Sequence, residues 1–243
     1  GVKPISTAPP ISARAVPHPP HDCPFSKLPA DSRSASAHPG PDEAGAPPDG
    51  DHAHRPKRTP PVLTRLAVHE ASHAAARLYL GLGTITALSI DARQGGHVMA
   101  HIDEIRDHTE EHLTAHLAVM LAGRAGEEEF IKTIGASGDG VTEGSDLEQA
   151  TRLAYAMETS MGFGQNMPLL FRRCSDWPEH LARNPTLAEA VNRRLEAAYG
   201  AALKIVRKQE PAISYLCGQL LQRGTLEGSE LGRVMAHARK LIV

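Results

Sequence analysis

The pentapeptide His69-Glu70-Ala71-Ser72-His73 constrains this chain more than any other part of its sequence. On an α-helix, residues four positions apart lie on one face, so His69 and His73 can bind a single metal ion. Glu70 lies at the rim of that face, within reach of a water molecule at the metal. Zinc lowers the pKa of such a water to about 7, and a nearby carboxylate can then remove its proton as it attacks a carbonyl group. The alternative is a set of ordinary polar residues on a helix surface, and the surrounding sequence decides between the two interpretations.

Proline is concentrated at the start of the chain, since residues 1–60 contain fourteen of its nineteen prolines. This segment shows almost no apolar periodicity and cannot bury enough surface to offset its ordering entropy. We therefore expect a disordered tail over residues 1–60. The remaining residues, 61–243, are numerous enough for one domain with a sizeable core.

Charge, apolar runs and cysteines exclude several classes of protein. A net charge of −2 over 243 residues indicates no bias towards nucleic acid or a membrane surface. No run approaches 18 apolar residues, and the N-terminus lacks the features of a signal peptide. The three cysteines are far apart and form no C-x-x-C pair, which favours a reducing, cytoplasmic location.

Apolar spacing predicts a mainly α-helical fold with one small β-sheet. Two short strands are predicted between the first and second helices, over residues 84–91 and 96–102. A glycine-rich loop is predicted over residues 135–144, followed by a helix that starts at the S-x-x-E capping box of residues 145–148. The remaining helices form a C-terminal helical bundle. The predicted helices cover residues 62–80, 109–131, 145–161, 186–208, 211–223 and 229–240.

A catalytic zinc ion usually has three protein ligands, so one more ligand must follow the two histidines. The metzincin pattern is excluded, because Tyr79 occupies the position where that pattern has its third histidine. Spacing alone leaves several later acids open as candidates. They are Glu127, Glu128, Asp139, Glu143 and Asp146.

Several longer motifs resemble the protease domain of the FtsH-type AAA+ zinc metalloproteases. These are L-A-G-R-A-G-E-E over residues 121–128, G-S-D-L-E-Q-A-T over residues 144–151, and a distal pattern that includes Gly224-Thr225-Leu226. The motifs occur in the family's order at compatible spacing, and the resemblance covers roughly residues 61–239. It implies a zincin-like fold in which the H-E-x-x-H helix carries the site.

The resemblance also implies roles for individual residues. His69 and His73 match the family's zinc ligands, Glu70 matches its general base, and Asp146 matches its third ligand. Glu127 and Glu128 match an acidic pair, of which at least one is expected near the site; a solvated helix face is the alternative. By contrast, His112 and His116 have ligand spacing without a family match and are interpreted as surface histidines. Residues 84–91 resemble an edge strand beside the zinc, along which a substrate peptide can lie extended.

The sequence departs from the full-length family, because it contains no G-x-x-x-x-G-K-[ST] phosphate-binding loop and no membrane anchor. We therefore expect an ATP-independent zinc metalloendopeptidase that acts on peptides or unfolded proteins. One alternative is a non-catalytic, metal-stapled peptide-binding module. Another is a protease subunit that works with a separate AAA+ ATPase, and a homo-oligomer is compatible with each of these hypotheses.

Overall fold

The computed structural model describes residues 59–91, 96–101, 108–135, 144–172 and 175–243. Across these residues the chain is mainly helical, with one three-stranded antiparallel sheet and a group of helices at the C-terminal end. This confirms the predicted fold class. The predicted disordered tail lies almost wholly outside the described residues, as do the candidate ligands Asp139 and Glu143.

Helix α1 spans Pro60–Leu80 and carries the H-E-x-x-H sequence. It begins two residues before the predicted start, because prolines fit the first turn of a helix, where their missing N–H has no partner to lose. Gly81 ends it in the left-handed conformation, with φ of 64°. The middle of α1 is lined with fully buried alanines, so neighbouring helices can pack closely around it. These are Ala67, Ala71, Ala74, Ala75 and Ala76.

The sheet consists of β1 (Thr84–Ser89), β2 (His97–His101) and β3 (Thr225–Glu227). Strand β1 lies in the centre, and Leu88 pairs with Val98 on one side and with Leu226 on the other. The prediction that residues 84–91 form an edge strand is therefore wrong. The cause is β3, which has only three residues and joins β1 from the far end of the sequence.

The predicted helix over residues 109–131 is divided into three pieces. Helix α2 spans Glu110–Met120, helix α3 spans Ala122–Gly126, and a single π-helical turn covers Glu127–Ile131. Helix α2 ends at Met120, and the next residue, Leu121, has a ψ of −2° that departs from helical geometry. The short α3 segment contains two glycines and packs against α1.

Five helices complete the fold. They are α4 (Asp146–Thr159), α5 (Trp177–Arg183), α6 (Pro185–Lys208), α7 (Glu210–Arg223) and α8 (Gly228–Leu241). Three helices are tied together by Arg194 of α6, whose guanidinium lies 2.6 Å from Glu158 of α4 and 2.8 Å from Glu110 of α2. Helix α5 was not predicted, although Asp176 caps it by accepting a hydrogen bond from the Glu179 N–H at 3.1 Å. Within the described ranges, no helix combines the length and the apolar character that crossing a membrane requires.

Candidate metal centre

Helix α1 presents His69 and His73 side by side in the interior of the protein. Their rings meet edge to face, with centroids 4.8 Å apart, and their Nε2 atoms are 3.1 Å apart. Only 5% of His69 and 8% of His73 is exposed. The four-residue spacing therefore places both imidazoles at one buried point, as the sequence predicts.

Asp146, the first residue of α4, completes a cluster of three at this point. Its Oδ2 atom lies 3.0 Å from His69 Nε2 and 3.1 Å from His73 Nε2. The start of α4 is anchored on both sides: Ser145 accepts from the Glu148 N–H, and the Glu148 carboxylate accepts from the Gly144 N–H at 2.7 Å. The predicted capping box is thus present, with Gly144 rather than Ser145 as the backbone donor to Glu148.

The hydrogen bonds on the far side of each ring determine what the cluster can bind. His73 Nδ1 must donate to the Val119 carbonyl oxygen at 2.7 Å, because a carbonyl can only accept. His69 Nδ1 lies 2.8 Å from Glu127 Oε1, an acceptor when the carboxyl group is ionised. In neutral imidazoles, both Nε2 lone pairs then face each other and the Asp146 carboxylate.

In this state the three acceptors, which lie within 3.1 Å of one another, can hold a cation between them. The ligands of a tetrahedral zinc ion, each about 2.0–2.1 Å from the metal, lie about 3.3 Å apart. The chemistry and spacing of this donor set therefore fit zinc. In the described parts of the chain, these residues form the one group of three side chains positioned to hold a metal ion.

The charges in the cluster shift the pKa values of its members. Burial lowers the pKa of His69, but the Asp146 and Glu127 carboxylates outweigh burial and raise it well above its ordinary value. The pKa of His73 is also raised, because Asp146 outweighs burial there as well. For Asp146, burial acts upward, and the two imidazoles nevertheless hold its pKa well below its usual range. The carboxylate and the imidazoles of the cluster therefore stabilise each other's charged forms.

Glu127 contacts the Nδ1 atom of His69 with one carboxylate oxygen, and its other carboxylate oxygen is held by further hydrogen bonds. Its Oε2 atom accepts from Arg65 Nη1 at 2.6 Å and from the Gly135 N–H at 2.7 Å. Burial opposes ionisation, but the hydrogen bonds from His69, Gly135 and Arg65 prevail and lower the pKa of Glu127. The expectation that one acid of the pair lies near the site is confirmed for Glu127. Glu128 turns away and accepts a hydrogen bond from the Tyr199 hydroxyl.

Glu70 is buried beside the cluster, with 5% of its surface exposed. Burial is the main reason that its pKa rises to about 7, although the neighbouring histidines act in the opposite direction. Its carboxylate lies against Gly96, where a Cβ atom would come closer than 3.0 Å to Oε1. Glu70 can therefore exchange a proton near neutral pH, next to the start of β2.

Two glycines of α3 are essential to this packing and were not singled out from the sequence. A Cβ at Gly123 would come closer than 3.0 Å to the Nε2 atoms of His69 and His73, and a Cβ at Gly126 would overlap Ser72. Ser72 is fully buried and donates to the Val68 carbonyl at 2.7 Å. The helical spacing of the two glycines, three residues apart on one face, was the available signal.

Comparison with known proteins matches the part of the chain that contains the candidate metal centre. Residues 63–234 match the model of peptidase family M41. The chain is 29% identical over 185 residues to ATP-dependent zinc metalloprotease FtsH 2 of Symbiobacterium thermophilum, an alignment that covers 73% of this chain and 31% of that protein. It is 30% identical over 194 residues to ATP-dependent zinc metalloprotease FtsH of Mycobacterium tuberculosis, covering 72% of this chain and 24% of that protein. The chain thus spans less than a third of the length of these relatives.

Proposed function

Because this chain belongs to peptidase family M41, we propose that it is a zinc-dependent metalloendopeptidase that hydrolyses peptide bonds in peptides or unfolded proteins. One observation carries the proposal. Two imidazole lone pairs and a carboxylate oxygen converge within 3.1 Å, next to a buried carboxylate whose pKa is about 7.

In this proposal, His69, His73 and Asp146 hold the zinc ion. Zinc bound there would supply Lewis acidity, which lowers the pKa of water and polarises the carbonyl group of the substrate. Hydrogen bonds within the protein orient both imidazoles before a metal ion binds. Glu127 and the Val119 carbonyl hold the Nδ1–H groups, so both Nε2 atoms are oriented towards the metal position.

Glu70 is the proposed general base. It accepts a proton from the attacking water and passes it to the leaving amine, and a pKa near the working pH suits both transfers. Its carboxylate lies against Gly96, at the point where the chain enters β2.

The proposed substrate position follows from the sheet order. Among the described strands, β2 is bordered by β1 on one side only, so its other edge can pair with an extended peptide. Such pairing uses backbone groups and makes little demand on the substrate's side chains. Since β2 begins directly after Gly96, a peptide along it would pass close to Glu70. Strand β2 thereby takes the role that the sequence suggested for residues 84–91.

We further propose that peptide hydrolysis at this centre does not itself require ATP, because the proposed chemistry uses only the zinc ion, a water molecule and the carboxylate of Glu70. The second candidate is a protease subunit served by a separate ATPase. It is favoured by the relatives, which are named ATP-dependent zinc metalloproteases.

The free thiol of Cys217 is compatible with a reducing, cytoplasmic setting.

The test is hydrolysis by the purified chain of a quenched fluorescent casein, which is unfolded, and of one globular protein in its native and destabilised forms, each with and without ATP. We expect zinc-dependent cleavage of the unfolded substrate that ATP does not change. Bound zinc without cleavage would favour the non-catalytic peptide-binding module. Cleavage of a folded substrate only after an ATPase is added would favour the partnered subunit.

A further inference from the structure

A second pair of imidazoles, His112 and His116 on α2, repeats the arrangement found in the metal centre. Their ring centroids are 4.8 Å apart with planes inclined at 72°, and the corresponding values for His69 and His73 are 4.8 Å and 69°. The Nε2 atoms of His112 and His116 are 3.2 Å apart. The proposed hydrolysis uses neither residue, so this pair needs an explanation of its own.

Helix α2 holds the two histidines on a well-packed and capped part of the fold. Each histidine directly precedes a core leucine, Leu113 or Leu117, so the pair lies at the border of the buried face and is itself half-buried. The first turn is capped by Thr109, whose side chain accepts from the His112 N–H at 3.2 Å. A ligand that joins the two rings would therefore cost little additional ordering of the backbone.

We propose that His112 and His116 form a second metal site, which binds a divalent transition ion such as Zn²⁺, Ni²⁺ or Cu²⁺ through both Nε2 atoms. Tetrahedral ligands that are about 2.0–2.1 Å from a zinc ion lie about 3.3 Å apart, and the observed separation of 3.2 Å is close to this value. Imidazole nitrogens suit these ions, whereas Mg²⁺ and Ca²⁺ prefer oxygen ligands. The interpretation of these residues as surface histidines is the alternative to this proposal.

This second site is weaker than the first and fills after it. The main centre combines two imidazoles with the negative charge of Asp146. The pair on α2 supplies two imidazole nitrogens, and among the described side chains no third ligand completes a group there. A protein that already holds one zinc ion should consequently take up a second ion at higher concentration.

The experiment is a calorimetric titration of the full chain, loaded with one equivalent of zinc, with further Zn²⁺. The variants are His112→Gln and His116→Gln, which keep a polar side chain but lose the imidazole. His237→Gln is the matched control, because His237 is exposed on α8 and has no histidine four residues away. We expect wild type and the control to bind a further ion with the same affinity, and each of the other variants to lose that binding phase.

A second readout keeps the proposal testable if a variant fails to fold. Side-chain ¹⁵N spectra of the wild type should show the Nε2 resonances of His112 and His116 shifting together during the second equivalent. Unshifted resonances, or equal zinc uptake in all three variants, would overturn the proposal. The two rings would then only share a hydrogen bond, and the extra zinc would bind elsewhere, for example at the histidines of the N-terminal segment.

Discussion

Glu127 accepts the Nδ1–H of His69 at 2.8 Å and thereby orients an imidazole that precedes it by 58 residues. Arg65, one helical turn before His69, donates to the same carboxylate from the other side. The carboxylate is thus fixed by the helix whose histidine it orients. This arrangement makes Glu127 part of the metal centre even though it is not one of the three proposed ligands.

We predict that Glu127→Ala weakens zinc binding about 10–100-fold, the usual effect of removing the partner of a metal-binding histidine. Glu129→Ala is the control, because Glu129 pairs instead with Arg207 at the surface. Competition with a chromophoric chelator measures both affinities. Equal affinities in the two variants would show that Glu127 does not act through His69.

Replacing Glu70 by Gln should leave the zinc content unchanged and reduce hydrolysis by about 10²–10⁴, since an amide cannot accept the proton. Metal analysis and peptide cleavage on the same preparation test both parts. Near-wild-type cleavage would rule out Glu70 as the base.

Among the acids that follow the two histidines, Asp146 should matter most for the metal. We expect Asp146→Ala to lose bound zinc after dialysis, while Asp139→Ala and Glu143→Ala retain it. Among the acids that the structure describes, Asp146 alone has a carboxylate oxygen within 3.1 Å of both Nε2 atoms. The same zinc content in all three variants would refute the assignment of Asp146 as a ligand.

Gly123 and Gly200 offer a matched pair of helix substitutions. Gly123→Ala should disrupt zinc binding, because the new methyl group would come closer than 3.0 Å to both Nε2 atoms. Gly200→Ala on α6 meets nothing within 4 Å and should stabilise the fold by about 0.5–1 kcal/mol. Zinc content and urea unfolding distinguish these outcomes. A Gly123→Ala protein with full zinc content would contradict the close approach of α3 to α1.

The pH dependence of stability should differ between the zinc-free and zinc-bound forms. The pKa of His69 is raised well above its ordinary 6.5 in the zinc-free protein, so protonated His69 stabilises the fold at low pH. This contribution is lost as pH rises from 6.5 through the raised pKa. Zinc binding, in contrast, requires the neutral imidazole, releases protons and strengthens as pH rises. Melting temperatures with EDTA should fall over this range, whereas those with zinc should not.

The sequence allowed the helix of the two histidines and the start of α4 to be predicted, because both depend on contacts within four residues. The choice of Asp146 among five acids needed the family resemblance, since its contacts with His69 and His73 span 77 and 73 residues. The spacing of residues along the sequence does not predict a contact between residues that are so far apart.

The wrong and missing predictions about the fold and the site also have specific causes. Strand β1 was assigned to an edge because β3 has only three residues and no recognisable periodicity. Helix α5 was overlooked although its start, Asp176-Trp177-Pro178-Glu179, contains an acidic cap and an early proline. The spacing of Gly123 and Gly126 indicates a shared helix face with room for a close neighbour, but it does not reveal which side chains occupy the space beside the two glycines.

The packing of α1 against α7 and the pairing of β1 with β3 also affect the order in which parts of the fold can form during synthesis. Glu210, the first residue of α7, follows the last residue of α1 by 130 residues. At about 5–20 residues per second, a ribosome needs on the order of ten seconds to make this interval. During this time the histidine-bearing helix lacks a major packing partner. His69 and His73 are therefore synthesised well before the helix that packs against α1, so the proposed activity would begin only after α7 has been made.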